Sequence, residues 1–90
     1  MDANLSLYNQ INSLCYWLLT ESSYKSSVIL DAEKDTFFVR VKKGAQNHYA
    51  YNIKEFSRKN PRFLNFELTA IANSLLHIKD AVVEKKSQSA

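Results

Sequence analysis

The side chains best suited to chemistry are cations crowded into the middle third of the chain. Residues 40–62 hold Arg40, Lys42, Lys43, Lys54, Arg58, Lys59 and Arg62 against Glu55 alone. Residues 1–39 are the reverse, with Lys25 and Lys34 set against Asp2, Glu21, Asp31, Glu33 and Asp35. Cations neutralise phosphates and release counterions, while aromatic faces stack on bases. Phe38, His48 and Phe56 are interleaved with the cations and supply that second half. The competing reading is that Lys and Arg only solvate a surface and that Tyr49 and Tyr51 belong to a core.

Other chemistry is thinly provided. Gly44 is the one glycine, so no glycine-rich phosphate loop exists. The only histidines are His48 and His77, far apart in sequence. His77 sits at the apolar edge of a helical pattern and reads as a packing or surface side chain. Cys15 is the single cysteine and falls within an apolar helix stripe, which suits an inert thiol rather than a nucleophile. It excludes an intramolecular disulfide and points to an intracellular, cytoplasmic setting. Asp31, Glu33 and Asp35 cluster at a turn, without the glycine-bearing loop of a calcium site, and read as solvated. These residues predict no catalytic site, no metal site and no cofactor.

The elements that would position the cations follow from hydrophobic period. Leu7, Ile11, Leu14 and Leu18 recur at 4-3-4 and predict a helix over 4–21. Residues 27–32 are apolar and β-branched, and predict a strand. Over 36–43, Phe37, Val39 and Val41 alternate with Phe38, Arg40 and Lys42, which predicts a half-buried strand. Residues 48–53 alternate again, Tyr49, Tyr51 and Ile53 against His48, Ala50 and Asn52. Residues 54–62 read as a loop or short helical turn, since Asn60-Pro61 resists a continuing helix. Leu64, Leu68, Ile71, Leu75, Ile78 and Val82 then repeat at 4-3-4-3-4, a helix over about 63–85.

The fold class is therefore α+β: helix, three-stranded antiparallel sheet, helix (αβββα), with both helices on one sheet face. Residues 1–86 make one domain and 87–90 a frayed tail. The expected core is Leu7, Ile11, Leu14, Leu18, Val39, Val41, Leu68, Ile71, Leu75 and Ile78. The other sheet face would show Phe38, Arg40, Lys42, His48, Ala50 and Asn52. No apolar run reaches the ~18 residues of a membrane span, and no basic leader is evident at the N-terminus.

The element order is similar to that of the double-stranded-RNA-binding domain. That family opens its second helix with lysines, whereas Phe63-Leu64-Asn65-Phe66-Glu67 has none. The order and length also resemble the small Alu-domain subunits of the signal recognition particle, with VILDAEKDTFFVRVKK as the hairpin. The resemblance implies a basic sheet face that meets RNA in a dimer.

The function these features predict is a non-enzymatic binding module for RNA or DNA, acting through the basic surface of residues 40–62. The alternative is a small adaptor or inhibitor that meets an acidic protein surface. A thin sheet with free edges also predicts a homodimer or a heteromeric partner.

Overall fold

A computed structural model describes residues 3–89, with side chains to residue 86. The chain runs α1 (Ala3–Glu21), β1 (Lys25–Asp31), β2 (Thr36–Lys43), β3 (Gln46–Lys54), a 3-10 turn (Phe56–Arg58) and α2 (Pro61–Ser89). The strands form one antiparallel meander in the order β1-β2-β3. This is the αβββα layout, with both helices packed into the core cluster on one face of the sheet.

The core is built by the two predicted periods. In β2, Phe37, Val39 and Val41 are fully buried; from α2, Leu68, Ile71 and Leu75 meet them with no exposed surface. Ile11, Leu14, Cys15 and Leu18 close it from α1, and Ile53 from β3. Leu7 was expected inside and is instead half-buried, packed against the rim of the cluster.

Local chemistry sets the boundaries. The Ser22 hydroxyl donates to the Leu18 carbonyl at 2.6 Å and accepts from the Tyr24 amide at 3.1 Å, turning the chain out of α1. β1 begins at Lys25, two residues before the apolar run, because Lys25 and Ser26 pair with Lys42 and Val41. It ends at Asp31, whose Oδ1 accepts from the amides of Glu33 (3.1 Å) and Lys34 (3.0 Å) and starts the hairpin. Gly44 turns β2 into β3 with φ 62°, a conformation glycine adopts without a Cβ clash. The Asn60 side chain accepts from the Arg62 amide at 2.9 Å and caps α2, with Pro61 at the first helical position where no amide is needed. α2 thus starts at Pro61, before the predicted 63. It continues through residue 89, so the expected tail is helical in its backbone that far, and Ala90 lies outside the described residues.

Candidate nucleic-acid interface

The sheet face turned away from the helices is the surface on which sequence and register converge. Side chains alternate along a strand, so residues opposite Phe38, Arg40 and Lys42 share their face. Phe38 lies between Ile29 of β1 and Asn52 of β3. Arg40 lies between Ser27 and Ala50, and Lys42 between Lys25 and Asn47. At the other end Thr36 stands between Asp31 and Lys54. Lys25, Arg40, Lys42 and Lys54 therefore face one acid, Asp31, which is engaged in its own turn.

Arg40 is the centre of this face. Small neighbours on both sides, Ser27 and Ala50, leave its stem room to lie along the sheet. Its guanidinium carbon is 5.9 Å from the Phe38 ring centroid. Its Nε is buried without a hydrogen-bond partner. The side chain is held by packing and a ring face, and no carboxylate is shown paired with it.

The seven cations read from the sequence fall at different places in the fold. Arg40 and Lys42 share the open face, and Lys54 joins it at the far end. Lys43 sits at the opposite end, its Nζ 5.5 Å from the Tyr24 ring centroid. Arg58, Lys59 and Arg62 line a separate shallow cavity of about 460 Å³ with Phe63 at the start of α2. Lys59 is already engaged there: its Nζ is 3.2 Å from Glu67 Oε1 and 5.1 Å from the Phe63 ring centroid. The Tyr51 hydroxyl donates to the same Glu67 oxygen at 3.3 Å. Burial, then the neighbouring Glu67 carboxylate, raises the Tyr51 phenol above its ordinary pKa.

Two of the three expected stacking groups point elsewhere. The β2–β3 register slips between Val41 and Lys42, with Val41 opposite Tyr49 and Lys42 opposite Asn47. His48 is the extra residue of this bulge, and a bulge re-aims its side chain. His48 meets Tyr24 edge-on at 5.1 Å and lines a shallow cavity with His77, Asn73 and Ser74 of α2. It therefore leaves the open face on which alternation had set it. Phe56 turns inward, its ring 5.5 Å from Phe37, and closes the end of the core. Only Phe38 remains on the open face.

The structure adds cations that charge counting along the chain missed. Lys25 stands opposite Lys42. Lys79 and Lys86 lie over the Trp17 ring at 5.1 and 5.7 Å. Lys86 and Lys85 line a cavity of about 370 Å³ with Lys43 and Tyr24. These residues are distant in sequence, so no window sum shows them together.

Among the described residues no group of three His, Cys, Asp or Glu could hold a metal ion. Burial pushes the Cys15 thiol up to about 11, against a lesser opposing hydrogen bond with Ser26, which disfavours the thiolate. No described helix is long and apolar enough to cross a membrane. No family model, curated protein or solved structure matches the chain.

Proposed function

We propose that this protein binds nucleic acid through the open face of its sheet, contacting the phosphate backbone and reading little sequence. The observation that carries this reading is the row of cations on that face: Arg40 and Lys42 on β2, with Lys25 opposite Lys42 and Lys54 at the far end of β3. Phe38 beside Arg40 offers a ring to a base or ribose. Arg58 and Arg62, which line the cavity at the start of α2, act as a second contact. A strand of polyanion laid across β2 meets Arg40 and Lys42 successively, two residues and roughly 7 Å apart.

Binding of fluorescent single- and double-stranded RNA and DNA, followed by anisotropy across a salt series, tests the proposal. Affinity falls steeply with salt, because each neutralised phosphate releases counterions. Arg40→Glu/Lys42→Glu weakens every ligand and flattens the salt slope. Absence of binding to all four ligands at low salt overturns the reading, and so does a double variant that binds as well as the native chain. Binding of an acidic protein in place of all four points to the adaptor reading.

A further inference from the structure

We propose that two copies of this chain pair edge to edge through β1, antiparallel and centred on Val28, so that two sheets become one of six strands. The sheet has two edges, β1 and β3. β3 is interrupted by the bulge at His48 and presents polar Gln46, Asn47 and His48 along its first part. β1 keeps an uninterrupted register with β2 over all seven residues, and its five central residues, Ser26 to Leu30, carry no charge and no proline. Bulges, charges and prolines are the devices that keep an edge from pairing. β3 has one of them, whereas the middle of β1 has none.

The surface beside β1 is apolar as well. Eight large hydrophobic residues are exposed among the described residues, and five of them belong to β1 or to α1, which packs beside it. Ile29 and Leu30 belong to β1, and Leu5, Tyr16 and Leu19 to α1. Leu5, Asn12, Tyr16 and Leu19 follow a 7-4-3 spacing and share one side of the helix. Trp17 marks a different side, under Lys79 and Lys86 of α2. Leu5 and Leu30 line one cavity of about 500 Å³, so the helix flank and the strand edge are contiguous. Apolar surface gathered on one side marks an association site.

Charge identifies the occupant as a second copy and fixes the register. Lys25 and Asp31 are the first and last residues of β1, each three residues from Val28, and both lie on the open face. A two-fold axis through Val28 sets Lys25 of each protomer opposite Asp31 of the other. The strand is its own complement, as an isologous interface requires. Opposed residues of a continuous sheet must lie on the same face. The neighbouring two-fold registers that obey this centre on Ser27 or Ile29. They set Lys25 opposite Ile29 or Asp31 opposite Ser27, with shorter overlap. The Val28 register alone pairs all seven residues and both charges. It also joins the two open faces into one.

Sedimentation equilibrium at high micromolar concentration tests the inference without reference to nucleic acid. The native chain gives twice the 10.4 kDa chain mass. Lys25→Glu sets two acids opposite each other and Asp31→Lys sets two lysines; each variant alone gives the mass of one chain. Mixed in equal amounts they restore the dimer mass, because every cross-strand pair is again of opposite charge. Asp31 also holds its own turn, so a second measurement leaves it intact. Ser27→Cys chains mixed with Ile29→Cys chains yield a disulfide-linked dimer under mild oxidation, and neither chain does so alone. A native chain that stays at 10.4 kDa overturns the proposal. A mixture that neither dimerises nor cross-links overturns the register. Nucleic-acid binding by a chain that remains monomeric would leave the proposed function standing and remove this interface.

Discussion

The two faces of β2 are made by the same eight residues, and they have opposite fates. Phe37, Val39 and Val41 are fully buried, whereas Phe38, Arg40 and Lys42, one position along in each case, are only partly covered. Strand geometry assigns the faces but does not bury either of them. Burial comes from the helices, which deliver Ile11, Leu18, Leu68, Ile71 and Leu75 to one side. The other side is left with a polarised surface whose central guanidinium has a desolvated, unpartnered Nε. One face carries the stability of a thin domain. The other offers charge and a ring face without competing carboxylates beside Arg40.

The largest effect expected from breaking this division lies on the closed face. Leu75 is fully buried in the middle of α2. Leu75→Ala removes packed methyl groups and leaves a void, a loss of about 2–5 kcal/mol. Small domains have only roughly 5–15 kcal/mol in total, so a urea titration should show the midpoint collapse. A midpoint equal to that of the native chain would mean that this stripe is not the core.

A smaller effect, of opposite sign, is expected on the open face. Arg40→Leu keeps a comparable apolar stem and removes the buried Nε that has no partner. Leaving such a donor unsatisfied costs about 1–3 kcal/mol, set against a weak ring contact with Phe38. The variant should be as stable as the native chain or more stable by about 1 kcal/mol, while losing affinity for nucleic acid. Urea titration and anisotropy on the same samples separate the two properties. A variant that loses stability and binding together would make Arg40 part of the scaffold.

The elements were legible because the apolar period changes from 3.6 to 2 and back, and so was the sharing of a face by Arg40 and Lys42. Alternation failed at His48, because a bulge inverts parity and no glycine marks it. Phe56 sits in a polar, basic segment, while what fixes it is Phe37, nineteen positions away, which it meets as a ring contact. Lys25 stands in a serine-rich stretch that resembles a connection, and only pairing with Lys42 shows it to be strand. Where Arg58, Lys59 and Arg62 come to lie depends on where the 3-10 turn sends the chain after β3. Residue spacing does not encode that direction.

The smallest expected effect lies at the seam between the faces. Asp35 ends the hairpin that joins β1 to β2 and holds φ 55°, and its carboxylate reaches the turn that caps the core. Oδ1 accepts from the Ser57 amide at 2.9 Å, and Oδ2 from the Ser57 hydroxyl at 2.8 Å. The Asp35 carbonyl accepts from the Phe56 amide at 2.9 Å. These bonds fasten the open-face hairpin to the segment that carries Phe56 against Phe37. The Ser57 hydroxyl, then its amide, holds the Asp35 carboxyl below its ordinary value of 3.8. A carboxylate whose folded pKa is depressed stabilises the fold fully above its unfolded value. Its contribution fades as the pH falls through the lower, folded value. The clasp should therefore be intact at neutral pH and loosen only in acid below about pH 4. Asp35→Asn keeps a side chain that tolerates positive φ and can still accept from the Ser57 amide, but it has no charge to lose. The protection of the Phe56 and Ser57 amides, measured by NMR as exchange relative to the intrinsic rate at each pH, should fall through an acid titration of the native chain and stay level in Asp35→Asn. An equal fall in both would assign the acid sensitivity of this seam to another carboxylate.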